Sequence, residues 1–320
     1  MFTLAHLSDP HVPSPLAFDL RALASKRAFG YWSWQRRRVH IHSAHVLEAL
    51  TRDLTRIGPN HVVVTGDLVN ISLLSEFPAA ALWLKTLGPP ERVSVVPGNH
   101  DAYVGVPWDR SLGLWAAYMS GDDDPGRDGP SSSPTAFPYV RRRGGIAIVG
   151  LSTALPTPPG SAAGRLGRAQ LERLEPLLAN LGAAGLCRVV LLHHPPLEGD
   201  NPQRKRLVDA NALQAVIARQ GAELLLHGHD HRCSIRTMAG PAGGIPAVGV
   251  PSASARLATS KPIGQYHLYT VTPGTRGWTI DLQIQRYNAA SGRFEDAGGH
   301  RLGEQAARDV GMMTPLAANA

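Results

Sequence analysis

Five short stretches bring together side chains able to hold a metal ion: Asp9-Pro10-His11, Gly66-Asp67, Gly98-Asn99-His100-Asp101, His193-His194-Pro195-Pro196 and His227-Gly228-His229-Asp230-His231. An Asp-x-His triplet in an extended turn aims an oxygen and an imidazole nitrogen at one ion. Gly98 permits a sharp turn that presents Asn99, a neutral oxygen ligand, beside His100, an imidazole that can donate a proton near neutral pH. Neighbouring side chains on an extended backbone diverge, so only one of His193 and His194 serves a given ion. His229 and His231 can bind one ion or two adjacent ions. Taken singly, these stretches also read as ordinary turns, since Gly, Asn and Asp are turn residues. Taken together they offer Asp9, His11, Asp67, Asn99, one of the His193/His194 pair, His229 and His231, all oxygen and nitrogen ligands with no thiolate. That is more than one ion needs and suits two ions sharing a carboxylate. Mixed imidazole and carboxylate ligation favours Mn, Fe or Zn over Ca or Mg. The chemistry of such a centre is metal-assisted hydrolysis.

Each stretch must be positioned by something rigid, and each follows an apolar run with strand character: residues 2–8, 61–65, 92–96, 188–192 and 223–226. Residues 146–151 form a further apolar run. Val46, Leu47, Leu50, Leu54 and Ile57 share one helical face, with Ser43 placed to cap the helix and Gly58 to end it. Further helices are expected over 166–181 and 211–219, and antiparallel strands over 244–251 and 265–287. Apolar strands alternating with helices argue for an α/β domain whose sheet is buried on both faces. In such a sheet, sites form at the carboxyl ends of the strands, where these five stretches fall. The domain is read as 1–288. It is interrupted by a basic, aromatic insertion at 13–42 and an acidic, Ser/Pro-rich loop at 121–134, and followed by a polar, flexible tail over 289–320.

Composition narrows the setting. The net charge of +7 and pI of about 9.8 favour anionic partners such as phosphates, nucleic acid or acidic lipid, beside the plainer reading of a basic solvated surface. Two cysteines, Cys187 and Cys233, cannot build a disulfide framework or a thiolate zinc site, and both are expected in the core. No basic stretch leads into a long apolar run at the start, and no run approaches the roughly 18 residues of a membrane span. A cytoplasmic location is the expectation.

The ordered set D-x-H, G-D, G-N-H-D, H and G-H-x-H, carried by Asp9/His11, Gly66/Asp67, Gly98 to Asp101, His193 and Gly228/His229/His231, resembles the calcineurin-like metallophosphoesterase superfamily over about residues 1–235. The resemblance implies a four-layer α/β/β/α sandwich with two mixed sheets between helices. It implies that Asp9, His11 and His231 hold one metal, that Asn99, His193 and His229 hold a second, and that Asp67 bridges them. His193 is preferred to His194 because the superfamily places its ligand two residues before a proline, here Pro195. His100 would touch the phosphate and protonate the leaving oxygen, with Asp101 orienting it. The reaction implied is attack on phosphorus by a metal-bridged hydroxide, the two ions about 3.5–4 Å apart.

Within the superfamily, the GNHD and HHPP stretches look most like the bacterial class III cyclic-nucleotide phosphodiesterases. A phosphodiester substrate, such as 3′,5′-cyclic AMP or a glycerophosphodiester, is the first expectation. A pyrophosphatase acting on a nucleotide-linked lipid such as UDP-diacylglucosamine is the alternative, and a non-catalytic scaffold of the same fold a third. Tyr31, Trp32 and Trp34, interleaved with Lys26, Arg27, Arg36, Arg37 and Arg38, read as a packed helical hairpin, a wall of the cleft or a membrane-surface contact. Arg141-Arg142-Arg143 reads as a solvated strand end or hairpin flank, with phosphate steering as the alternative. No specific protein partner is indicated, and a nucleic-acid partner would need a longer basic groove.

Overall fold

A computed structural model describes residues 1–13, 26–34, 36, 39–123, 137–197, 202–256, 262–275 and 277–303. Strands β1 (Phe2–Leu7), β2 (His61–Val64), β3 (Val93–Val95), β10 (Gln265–Gly274), β11 (Gly277–Asn288) and β12 (Arg293–Leu302) form one sheet in the order β12-β11-β10-β1-β2-β3. Strands β4 (Tyr139–Arg143), β5 (Ile146–Gly150), β6 (Cys187–Leu191), β7 (Leu224–His227), β8 (Ser234–Gly240) and β9 (Gly243–Gly249) form the other, in the order β4-β5-β6-β7-β9-β8. Both sheets are mixed. β1, β2 and β3 run parallel, as do β5, β6, β7 and β9, while β10, β11 and β12 in one sheet and β4 and β8 in the other pair antiparallel with their neighbours. The helices are α1 (Arg27–Ser33), α2 (Val39–Ile41), α3 (Ala44–Ile57), α4 (Glu76–Leu87), α5 (Arg168–Ala183) and α6 (Ala210–Gln220).

Strand periodicity explains the layers. Ile146 and Ile148 of β5 join Leu4, Val63, Val189, Leu191 and Leu226 in a core shared by the two sheets. Their neighbours Ala147 and Val149 turn the other way, onto Leu174 and Leu178 of α5 and Leu213 and Ile217 of α6. Because every residue of β6 and β7 is buried, these strands read as continuous apolar runs rather than as alternation. The expected sandwich of two mixed sheets between helices is what the chain forms. Helix α3 spans the expected residues and ends on Gly58, whose left-handed backbone (φ 63°) lets its N–H bond the Leu54 carbonyl. Ser43 stands at the N-cap, but its hydroxyl makes no cap bond; its N–H instead reaches the Ser254 carbonyl at 3.0 Å.

Several expectations are corrected. Residues 293–302 are not tail but β12, paired with β11 and pinned through buried Phe294 and Leu302 and the Arg301–Asp281 ion pair at 2.8 Å. Only 304–320 of the expected tail, and 124–134 of the expected loop, lie outside the described residues. Arg141 is not solvated: it is fully buried, and its guanidinium donates to the carbonyls of Pro90, Val93, Ala117 and Ser120. Arg143 instead pairs with Asp122 at 2.9 Å. Cys187 is buried in the core as expected, whereas Cys233 is exposed. Among the described residues no helix is long and apolar enough to cross a membrane.

Candidate metal centre

The two sheets meet at the carboxyl ends of their central strands. The parallel ladder of β1 and β2 runs on past both strands: Asp9 N–H bonds the Gly66 carbonyl at 2.9 Å, and His11 N–H the Asp67 carbonyl at 3.0 Å. From the other sheet, the turn after β7 arrives with Gly228 N–H on the His193 carbonyl and His229 N–H on Asp9 Oδ2, both at 3.0 Å. Ser8 pairs with Ser252 in a parallel bridge that joins the two sheets beside Asp9.

The chain leaves these strand ends through an uncommon conformation. Asp9, His11, Asp67, His229 and His231 all have left-handed backbones, with φ of 51°, 39°, 57°, 69° and 52°. Asp and His tolerate this region better than most side chains, yet such residues persist only where surrounding structure holds them, and they cluster at functional sites. Motif glycines meet a different demand. A Cβ on Gly98 would lie 2.3 Å from Asp67 Oδ1, and one on Gly228 would lie 1.8 Å from Ser8 Oγ and 2.5 Å from Asp9 Oδ2. Those turns lie against the acidic side chains too closely for any side chain of their own.

All seven expected ligands converge here. His231 Nε2 stands 3.0 Å from Asp9 Oδ1, with His11 completing that group. Asn99 Oδ1 lies 2.8 Å from His229 Nδ1 and 3.1 Å from His193 Nε2. Asp67 Oδ2 stands between the two groups, 3.9 Å from His11 Nε2 and 3.4 Å from His193 Nε2. Asp9 also comes within reach of Asp67 and His193, which brings the two groups together as one centre. The tautomers follow from the partners. His11 Nδ1 faces the Val69 carbonyl at 3.1 Å and His193 Nδ1 the Thr65 carbonyl at 2.6 Å. A carbonyl only accepts, so each Nδ1 carries the proton and each Nε2 offers a lone pair to the centre.

Lone-pair atoms crowded this closely are stabilised by a cation, and the all-nitrogen-and-oxygen set fits two transition ions. The electrostatics agree. Burial opposes ionisation of Asp9, but His231, His193 and His11 hold its carboxyl well below the usual range. Burial likewise opposes the charge of His193, yet Asp67 and Asp9 push it up to about 10, so in the metal-free centre Nε2 holds a proton that a bound cation would displace. His194 is placed elsewhere. Its Nε2 donates to the Ala162 carbonyl at 3.1 Å, its Nδ1 meets Thr153 Oγ1 at 2.8 Å, and burial followed by His193 lowers it to about 3. It packs 4.4 Å from the His229 ring as a neutral buttress.

His100 stands edge-on to His11, ring centroids 5.0 Å apart, and its backbone N–H bonds Asp67 Oδ1 at 2.7 Å. Its Nδ1 donates to the Asn70 carbonyl, so the carbonyl is its orienting partner. Asp101, expected in that role, does something different. Its carboxylate accepts the N–H groups of Asp67, Leu68, Val69 and Gly98 at 2.8–3.0 Å, tying the turn of Asp67 to the turn of His100. Burial and then the Asp67 carboxylate push Asp101 up to about 7, against those N–H groups.

Sequence reading missed the residues that carry no motif. The buried Glu76 accepts the N–H groups of Asn70, Ile71 and Leu73, setting the loop whose carbonyl holds His100. His42 packs 4.5 Å from the His11 ring, with its Nδ1 2.7 Å from Ser254 Oγ, and Ser252 Oγ donates to the Asp9 carbonyl. A glutamate opening a helix and two serines in a loop have no spacing that marks them.

The sequence pattern described as calcineurin-like phosphoesterase matches residues 2–233. The chain belongs to that family. Family membership carries the enzyme class with it, a metal-dependent phosphoesterase. Solved structures agree on the fold. A dimetal phosphatase from Danio rerio is 12% identical with a TM-score of 0.57, the alignment covering 88% of the phosphoesterase and 95% of that chain. The NAD nucleotidase of Haemophilus influenzae is 12% identical with a TM-score of 0.50; 93% of the phosphoesterase covers 54% of that longer chain. GAP50, the anchor in the inner membrane complex of Plasmodium, is 12% identical with a TM-score of 0.50, covering 94% and 88%. No curated protein sequence matches the phosphoesterase.

Proposed function

We propose that this phosphoesterase is a phosphodiesterase working through a dinuclear metal centre. Asp9, His11 and His231 would hold one ion, Asn99, His193 and His229 the other, and Asp67 both. Two such ions polarise phosphoryl oxygens and acidify a water. The observation that carries the reading is His100, set against this ligand set with its Nδ1 occupied by the Asn70 carbonyl. Proton exchange then falls to Nε2, and we assign His100 as the acid that protonates the departing oxygen. The resemblance of the GNHD and HHPP stretches to class III cyclic-nucleotide phosphodiesterases makes 3′,5′-cyclic AMP and glycerophosphodiesters the first substrates to try. Mn, Fe or Zn suits the donors.

The test is hydrolysis of bis(p-nitrophenyl) phosphate against p-nitrophenyl phosphate, with Mn²⁺ and with chelator. Diester cleavage that is faster than monoester cleavage and abolished by chelator is the expected result. Monoester preference, or turnover in chelator, overturns the proposal.

A second reading has its own observation. An open pocket of about 560 Å³ lies between α3 and α4, lined by Val12, Pro13, Leu47 and Trp83 together with Glu48 and Arg52. Val12 is the residue after His11, and the pocket's apolar surface is of a kind that takes an acyl chain. Trp32, 57% exposed with the Arg36 guanidinium 4.3 Å from its ring, adds a surface suited to anionic lipid. Hydrolysis of UDP-diacylglucosamine in preference to cyclic AMP, together with liposome binding lost in Trp32→Ala, would favour a nucleotide-linked lipid pyrophosphatase.

A further inference from the structure

The insertion after His11 is built into the support of His100. Arg27 of α1 donates from Nε to the Ile71 carbonyl at 3.2 Å and from Nη2 to the Ser72 carbonyl at 2.5 Å. Gly30 lets the helix close on its neighbours: a Cβ there would stand 2.7 Å from Ile71 Cγ2 and 2.8 Å from the Tyr103 hydroxyl oxygen. Lys26, fixed by Thr157 Oγ1 at 2.7 Å and the Ser161 carbonyl at 3.0 Å, places its ammonium 4.3 Å from the centroid of the Tyr103 ring. That ring in turn lies parallel to the imidazole of His100, 8° between planes and 5.5 Å between centroids. The two residues are also joined through Ser72, whose hydroxyl donates to the His100 carbonyl at 2.7 Å and accepts the Tyr103 N–H at 2.9 Å.

We propose that Tyr103 is a positioning residue: its ring, backed by α1, holds the imidazole plane of His100 at the angle from which it protonates the leaving oxygen. A carbonyl bond at Nδ1 alone leaves the ring able to pivot about that bond. An aromatic face stacked on the imidazole removes the pivot, and offset-stacked rings attract beyond their buried area. General acid catalysis depends on that geometry, because the donor must point at the oxygen as the bond breaks. The inference rests on the reading of His100 as the acid.

The test compares kcat and KM for bis(p-nitrophenyl) phosphate, whose leaving group departs readily without a proton, and for diphenyl phosphate, whose leaving group needs one more. The wild-type enzyme is measured beside His100→Asn, Tyr103→Ala, Tyr103→Leu and Tyr103→Phe, with metal content and Tm for each. The expected result is a fall in kcat of roughly tenfold or more on diphenyl phosphate for Tyr103→Ala and Tyr103→Leu, part of the 10²–10⁴ that a general acid contributes. Their kcat on the nitrophenyl diester should stay within about twofold, KM should hold, and Tyr103→Phe, which keeps the ring, should restore the rate. Equal losses on both substrates, or no loss on either, overturn the role of Tyr103. If His100→Asn itself fails to discriminate between the substrates, the reading of His100 falls instead. If His100→Asn discriminates and the Tyr103 variants do not, only the present inference falls. Tyr103→Leu keeps bulk at the site should Tyr103→Ala fold poorly.

Discussion

Asp67 and His100 touch one another yet carry separable duties. Replacing Asp67 by Ala removes the carboxylate placed between the two ligand groups and the acceptor of the His100 N–H. Bound metal and turnover should disappear together. His100→Asn should keep its metal, because the ring is outside the ligand set, while turnover of a diester with a poor leaving group falls by about 10²–10⁴. Metal analysis beside rate measurement separates the two, and a metal-free His100→Asn would refute the division. Gly228→Ala is a purely steric case. The new methyl would collide with Ser8 and Asp9. The expected result is a stability loss of about 1–3 kcal/mol with weakened metal retention, read by denaturant melts and by metal titration.

At the scale of elements, much of the site is legible because its residues punctuate strands. An apolar run stopping at Asp9, Asp67, Asn99, His193 or His229 marks both the strand and the chemistry, and the strand ends coincide in space as an α/β sheet requires. What escapes the reading is held by partners remote in sequence. Helix α4 has Pro78 in its first turn and little contrast between faces, so neither period nor cap reveals it. Strands β8 and β12 are polar edge strands fixed by backbone ladders, and β12 alternates only at its ends, through Phe294 and Leu302. Arg141 looks solvated by type and is buried because four main-chain carbonyls converge on its guanidinium. Glu76 supports a prediction at this scale. It opens α4 and closes the 70–73 loop, so Glu76→Ala leaves three buried N–H groups without their acceptor. A loss of about 2–4 kcal/mol in urea unfolding is expected, with a lowered kcat at retained metal, since the Asn70 carbonyl no longer holds its place. A change in neither quantity would show that the loop stands without it.

For the whole molecule, buried histidines away from the centre set a response to acid. Burial, and then Arg141, Arg143 and Arg92, lower His61 to about 2; burial, and then His300, lower His267 to about 3. Both stay neutral in the fold while the unfolded chain takes up protons from about pH 6.5 downwards. Their stabilising contribution is therefore complete above about pH 6.5 and is lost as pH falls toward 3, each at up to about 1.4 kcal/mol per pH unit. Thermal melts of chelator-treated protein should show Tm falling over that window, and His267→Gln should flatten the slope; a flat profile in the unmodified protein would refute this. Returning Mn²⁺ should raise Tm with metal concentration, as any ligand of the native state does. The ligands also have a topological consequence. Asp9, His11, Asp67 and Asn99 come from one sheet, and His193, His229 and His231 from the other. An ion held between Asp9 and His231 would act as a removable cross-link across the chain between them, and the closure of so long a loop would weigh chiefly on states in which the sheets have parted. Loaded and empty forms would then share one architecture and differ in lifetime, the loaded form expected to turn over slowly under proteolysis and the empty one quickly.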